Sequence, residues 1–148
     1  MAMARIAGSI TIDAPVEEVF DLVADERNEP KYNPRILRAE KVTEGPVGKG
    51  SRFVAEPRSV GVKGAMTMEV LDYERPHRLH NVIRSPYLQV EGALTFADVA
   101  EGTRLSWDWD MALVGPMRLV SPLLAAIGPR WERRNWVGLK EYVEAGRR

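Results

Sequence analysis

The sequence predicts an α+β fold in which a curved antiparallel sheet closes over a long C-terminal helix. Three observations carry that expectation. Five or six stretches alternate apolar and polar residues with the period of a strand. The connections between them are short, which favours antiparallel neighbours. The last segment, Pro129 to Glu144, takes a helical period instead and presents Trp131, Trp136, Leu139, Tyr142 and Val143, with Leu119, Leu123, Leu124 and Ile127 just upstream. Helices segregated from the run of strands make the class α+β. A sheet wrapped over one apolar helix can enclose a cavity, and that cavity is the best clue to function.

Ile6 to Asp13 alternates through Ile6, Gly8, Ile10 and Ile12 and reads as the first strand. Asp13 is placed to cap the next helix, with Pro15 in its first turn and Glu17 and Glu18 favourable to its dipole. Val16, Val19, Phe20 and Val23 recur at helical spacing and bury one face. Asp25 to Tyr32 is polar and reads as a second short helix or turn, ended by Pro34.

The pattern then becomes β. Ile36 to Glu44 and Ser51 to Arg58 are candidate strands, separated by a glycine-rich turn from Gly45 to Gly50. Val62, Gly64, Met66, Met68 and Val70 share one face of a longer strand; Pro76 breaks it and His77 to Arg84 forms the next. Leu88, Val90, Gly92, Leu94 and Phe96 alternate with Gln89, Glu91, Ala93 and Thr95, as in a half-buried strand. Gly102 turns the chain into the last strand. There Leu105, Trp107, Trp109, Met111 and Leu113 point one way and Arg104, Ser106, Asp108 and Asp110 the other. After Gly115-Pro116 the period is helical, and Gly128-Pro129 is expected to kink or split the terminal segment. The order is one strand, two short helices, six strands and a long helix, with no repeat or linker.

A chain of 148 residues fits one domain, 1–148, and a domain of that size buries roughly 70% of its unfolded surface. Lys+Arg and Asp+Glu each number 21, so the electrostatic excess that drives phosphate binding is missing and no nucleic-acid partner is expected. The basic stripe Arg130, Arg133, Arg134, Arg147 and Arg148 is ordinary for a solvated helix face. The lack of cysteine excludes disulfides, thiolate metal sites and thiol nucleophiles, and fits a reducing cytosol. Residues 1–5 lack the apolar core of a signal peptide, and no apolar run reaches the length of a membrane span. A cytoplasmic protein without stable membrane insertion is the expectation; monomer and homodimer both stay open.

Several strings, in this order and spacing, resemble the START-like (SRPBCC) superfamily with its helix-grip fold, and within it the polyketide cyclase/dehydrase-type proteins. They are Ile10-Thr11-Ile12-Asp13-Ala14-Pro15-Val16-Glu17-Glu18-Val19-Phe20, Lys31-Tyr32-Asn33-Pro34, Pro76-His77-Arg78-Leu79, Gly102-Thr103-Arg104-Leu105-Ser106-Trp107 and Gly138-Leu139-Lys140-Glu141-Tyr142-Val143-Glu144. In the second string the family often has tryptophan before Asn-Pro. The resemblance implies a seven-stranded sheet gripping the C-terminal helix with a hydrophobic pocket between. Members bind lipids, steroids, polyketides or hormones, and only some catalyse reactions, so the fold does not name one function.

The inward strand faces supply the candidate ligand-binding residues: Phe53, Met66, Met68 and Val70, then Asn81 and Ile83, then Val90 and Leu94, then Trp107, Trp109 and Met111. Trp136, Leu139 and Val143 would roof them. Met adapts its shape and Trp offers a broad flat surface, both suited to a flexible or aromatic guest. Apolar strand faces are ordinarily just packed core; the family resemblance is what raises them to a pocket lining. Asn81 lies between Leu79 and Ile83 on an apolar face and is the candidate polar fixture. A register slipped by one would instead turn His80, Val82 and Arg84 inward.

Signs of catalysis are sparse. His77 and His80 have no serine, carboxylate or second histidine at the spacing of a triad or a metal site, so neither metal nor cofactor is expected. Asp108 and Asp110 lie opposite the tryptophans and read as a solvated outer face, and Glu56 with Arg58 reads the same way. Tyr32, Asn33 and Arg35 fall near one end of the expected pocket, and Tyr87 at its rim. Tyr87, Arg84 and Asn81 are the candidates for proton transfer or charge stabilisation. Three functions follow in order: a binding module for a hydrophobic small molecule, a polyketide aromatase/cyclase-type enzyme, and a protein-interaction module using the apolar segment 117–127. That segment also reads as a lid.

Overall fold

The computed structural model describes residues 3–58 and 65–147. In chain order the elements are β1 (Ala4–Ile12), α1 (Val16–Ala24), a 3₁₀ helix (Glu26–Lys31), β2 (Ile36–Lys41), β3 (Arg52–Pro57) and β4 (Met66–Glu74). Then come β5 (Arg78–Arg84), β6 (Leu88–Val99), β7 (Gly102–Leu113), a second 3₁₀ helix (Gly115–Val120) and α2 (Ser121–Gly146). One seven-stranded sheet has the order β1-β7-β6-β5-β4-β3-β2, and every pairing is antiparallel. The curved sheet wraps α2, which packs against β1 and β7. This is the helix-grip architecture.

The run after β1 carries the chain from one sheet edge to the other. α1 buries Val16, Val19, Phe20 and Val23, and Phe20 meets Tyr73 and Phe96 edge-on at 5.2 and 5.1 Å. Asp13 does not cap this helix. Pro15 holds the cap position in an extended conformation without a side-chain hydrogen bond. The Asp13 backbone N–H donates instead to Glu144 Oε2 at 2.9 Å, which ties the end of α2 to the β1–α1 corner. Lys140 Nζ reinforces the tie, donating to Thr11 O at 2.7 Å.

Strand bounds differ from the sequence expectation mainly at the ends. β2 stops at Lys41, and β4 runs on to Glu74 with a register shift between Val70 and Asp72. Val62 and Gly64 lie outside the described residues. The break expected at Gly128-Pro129 does not split α2, which is continuous from Ser121 to Gly146. Pro129 deprives the Ala125 carbonyl of its amide partner, but Ala125 and Pro129 are both exposed, so water can satisfy that oxygen. At Gly128 the helix passes close to β1, and a Cβ there would meet the tip of the Ile6 side chain, Cδ1.

Cross-strand register orders the inner face of the sheet into rows. One row runs Phe53, Met68, Ile83, Val90, Met111 from β3 to β7. The next runs Val70, Asn81, Gly92, Trp109, Ile6 from β4 to β1. A third runs Tyr73, Leu79, Leu94, Trp107, Gly8. The third row is tightly filled. Trp107 lies over Gly8, where a Cβ would come within 2.6 Å of Cζ2, and it stacks on Trp136 with centroids 6.0 Å apart.

Candidate functional site

Over the first two rows the core opens into a cavity of about 260 Å³ between the sheet and α2. Its floor is apolar: Phe53 and Ala55 from β3, Met66 and Met68 from β4, Ile83 from β5, Leu88, Val90 and Leu94 from β6, and Met111 from β7. Alternation explains why these side chains gather, since residues two apart along a strand share a face. Trp109, Trp131 and Trp136 form an aromatic side, the first from β7 and the others from α2. The 3₁₀ helix and the turn after it close one end with Glu26, Glu29, Tyr32, Asn33 and Arg35. Tyr87 borders the cavity from the β5–β6 turn.

Ten of the fourteen residues expected as ligand contacts border this space: Phe53, Met66, Met68, Asn81, Ile83, Val90, Leu94, Trp109, Met111 and Trp136. Val70, Trp107, Leu139 and Val143 are buried in the core and do not border it. Trp107 is held away because Gly8, Trp136 and the Arg133 guanidinium, 5.5 Å from its ring, already surround it. Arg84 is exposed on the opposite face of β5, as the unslipped register requires. His80 lies on that outer face too, its Nε2 3.2 Å from Glu91 Oε2. Asp108 also faces outward, paired with Arg5 through two 2.9 Å hydrogen bonds.

Tyr32, Asn33, Arg35, Asn81 and Tyr87 border the cavity as the sequence suggests, but sequence reasoning missed Glu29, Glu132 and Asn135. Glu132, on α2, accepts the indole N–H of Trp109 at 2.7 Å and that of Trp136 at 2.8 Å, both on Oε1. Burial raises its pKa, while the two indole donors and the nearby Arg35 hold the rise back. Glu29 accepts from Asn33 Nδ2 at 2.8 Å. Burial pushes its carboxyl from the ordinary 4.5 up to about 7, against the Asn33 hydrogen bond; the field of Glu132 adds to the rise and Arg35 opposes it. The Tyr32 hydroxyl is held well above its usual range, first by burial and then by Glu29 and Asp25. Arg35 spreads over the Trp131 ring, 4.3 Å from the centroid, and desolvation lowers its pKa.

Two amides complete the set. Asn81, 5% exposed on the inner face of β5, and Asn135 on α2 both border the cavity, and neither Oδ1 has a hydrogen-bond partner. Next to Asn81 the sheet carries Gly92, where β6 and β7 approach so closely that a Cβ would meet the Asp108 carbonyl. Among the described residues no three His, Cys, Asp or Glu gather as metal ligands.

The family model described as polyketide cyclase/dehydrase and lipid transport matches residues 3–144. The chain belongs to that family. Its fold is that of the START (SRPBCC) superfamily. A START superfamily protein from Mycobacterium smegmatis superposes with a TM-score of 0.80 at 16% identity, covering 95% of this chain and 97% of that one. The Zhui aromatase/cyclase from Streptomyces sp. R1128 gives 0.75 at 18% identity, over 99% and 96% of the two chains. A conserved protein from Geobacillus kaustophilus gives 0.77 at 18%, over 95% and 96%. No curated protein matches the sequence. At these identities the likeness establishes the fold, and within this START-like scaffold the chemistry has to be argued from the cavity itself.

Outside the cavity, Leu119, Leu123, Ile127 and Trp131 follow one another at a spacing of four and are all exposed, Leu119 by 85%. This stretch joins the second 3₁₀ helix to α2 beside Trp131, which belongs both to the stripe and to the cavity wall. No helix among the described residues is long and apolar enough to cross a membrane.

Proposed function

We propose that the chain binds a hydrophobic small molecule, lipid-, polyketide- or aromatic-like, in the cavity between the sheet and α2. The supporting observation is the cavity itself, with a methionine-rich floor on β4 and β7 and an aromatic side anchored by Glu132. Its volume of about 260 Å³ lies just below the ~300–1,000 Å³ typical of small-molecule sites. A guest of one or two rings, or a short acyl chain, is of that scale. The ligand-contact set is the ten cavity-bordering residues named above; Val70, Trp107, Leu139 and Val143 support them from the core. A cysteine-free chain of balanced charge suits a cytoplasmic carrier. Native mass spectrometry of the purified protein tests the reading: a co-purified apolar molecule, displaced after Met68→Trp, is expected. A protein that arrives empty and binds no apolar probe would refute it.

A second reading is favoured by one specific observation. Glu29 borders the cavity with a carboxyl that titrates at about 7, the condition for a general acid or base at neutral pH. A proton transfer of the aromatase/cyclase type would use Glu29, with Tyr87 at the rim; Arg84 faces away and takes no part. Loss of turnover on a poly-ketone substrate in Glu29→Gln, with binding retained, would establish it.

A further inference from the structure

The cavity is apolar in its floor, yet its polar groups are of a particular kind. Glu29 and Glu132 each use Oε1 for donors from the protein, and among the described residues no donor reaches either Oε2. Asn81 is almost wholly buried, and among the described residues its Oδ1 has no hydrogen-bond partner. Strand alternation puts its side chain on the inner face, between Val70 and the bare Gly92. A buried amide left unpaired is costly, so a group that pairs it on binding is favoured. Asn81 and Trp109 stand two strand spacings apart, about 10 Å. Asn81, Glu29 and Glu132 border the same cavity, with Glu132 held against Trp109.

We infer that the ligand is a ring-bearing molecule with two hydroxyls, one donating to Glu29 and the other to Asn81 Oδ1. This rests on the cavity being the binding site. A hydroxyl fits because it can donate both to a carboxylate and to an amide oxygen, whereas an ether only accepts and an ammonium brings a charge into an apolar cavity. An ammonium is disfavoured for a second reason: Arg35 borders the same cavity and already lies in the field of both carboxyls. A site that hydrogen-bonds a hydroxyl rejects the analogue lacking it far more sharply than an apolar wall rejects a missing methylene.

Calorimetric titration of the full chain with four probes tests this. The probes are 2-naphthol, 2-methoxynaphthalene, 2,6-dihydroxynaphthalene and 2-naphthylmethylamine. The expected order is the dihydroxy compound tightest, then 2-naphthol, with the ether at least tenfold weaker than the naphthol. Glu29→Gln is expected to cut the naphthol-to-ether ratio at least fivefold. Asn81→Leu is expected to bring the dihydroxy compound down to the level of 2-naphthol. In both variants an ether affinity within twofold of the parent shows that the pocket is intact. If the ether binds as well as the naphthol, or the amine binds best, the inference is overturned while the cavity reading stands. If none of the four probes binds while the purified protein carries an apolar molecule, the inference is overturned; if it also arrives empty, the cavity reading itself has failed.

Discussion

The Glu132 carboxylate of α2 accepts the indole N–H of Trp109 from β7 at 2.7 Å, and through the same oxygen that of Trp136 at 2.8 Å. One acidic side chain thus fixes two tryptophans on two elements and holds the helix at a set height over the sheet. Replacing it by Leu strands both indole donors, at a cost on the order of 3 kcal/mol. Glu132→Gln keeps an acceptor and also removes a carboxyl that burial disfavours, so it should cost less than about 1 kcal/mol. Urea unfolding at unchanged m-value measures both. Equal losses in the two variants would show that the hydrogen bonds do not set the stability.

Glu29 makes stability depend on pH with a definite sign. Its folded pKa of about 7 lies above the ordinary 4.5, so between those values the native state holds more protons than the unfolded one. Its contribution is complete below 4.5 and is lost as pH rises through about 7. The span is worth at most roughly 3 kcal/mol at about 1.4 kcal/mol per pH unit. Glu29→Gln should therefore match the parent near pH 4 and exceed it in stability above pH 7. Glu132, also raised, adds slope of the same sign to both proteins. Asp21, Asp25 and Asp108, held low by arginines, act in a more acid window. The difference between variant and parent thus isolates Glu29, and a pH-independent difference would contradict its raised pKa.

Two glycines of α2 should respond in opposite ways to Ala. On helix propensity alone each gains about 1 kcal/mol. At Gly138 the new Cβ would lie 2.8 Å from the Tyr32 carbonyl oxygen, which is backbone and cannot swing aside. Gly138→Ala should destabilise by about 1–3 kcal/mol and displace the segment that carries Tyr32 and Asn33 at the cavity end. At Gly128 the new Cβ meets Ile6 Cδ1, the far end of a flexible side chain. Gly128→Ala should stay within about 1 kcal/mol of the parent. Thermal unfolding of the pair ranks them, and the reverse order would remove Tyr32 as the contact that sets the helix position.

The strands were legible because alternation survives in a sheet with one buried face: β6 and β7 show it for nearly their whole lengths. The cavity was not legible to the same degree. Alternation places Trp107 and Trp109 on the same face, but only the overlying helix and the bare Gly8 decide that Trp107 fills the core and Trp109 borders the space. Glu132 left a trace in the sequence, standing four residues before Trp136 on the stripe that continues through Leu139 and Val143. A carboxylate there conflicts with the habit of keeping acids in water, and that conflict was the signal. Glu29 left none. Its 3₁₀ helix has no apolar period, and the carboxyl whose field reaches it, Glu132 of α2, lies far along the chain. Pro129 misled for a local reason, since the carbonyl it orphans faces solvent.

Asn81 should show stability and binding trading against each other. Its amide oxygen is buried without a partner, while Leu79 and Ile83 on the same strand face the same apolar side. Leu has the same branched skeleton and no polar atom to desolvate, and the cavity beside it has room for its larger methyl groups, so Asn81→Leu should stabilise the ligand-free protein by about 1 kcal/mol. Asn81→Asp, placing a charge where the amide already lacks a partner, should destabilise it by more than about 2 kcal/mol at pH 8 and recover as the carboxyl is protonated. Denaturant midpoints of the three proteins at pH 8 and pH 5 give the comparison. A Leu variant less stable than the parent would mean that the amide is satisfied in solution, and Asn81 would then belong to the scaffold rather than to the site.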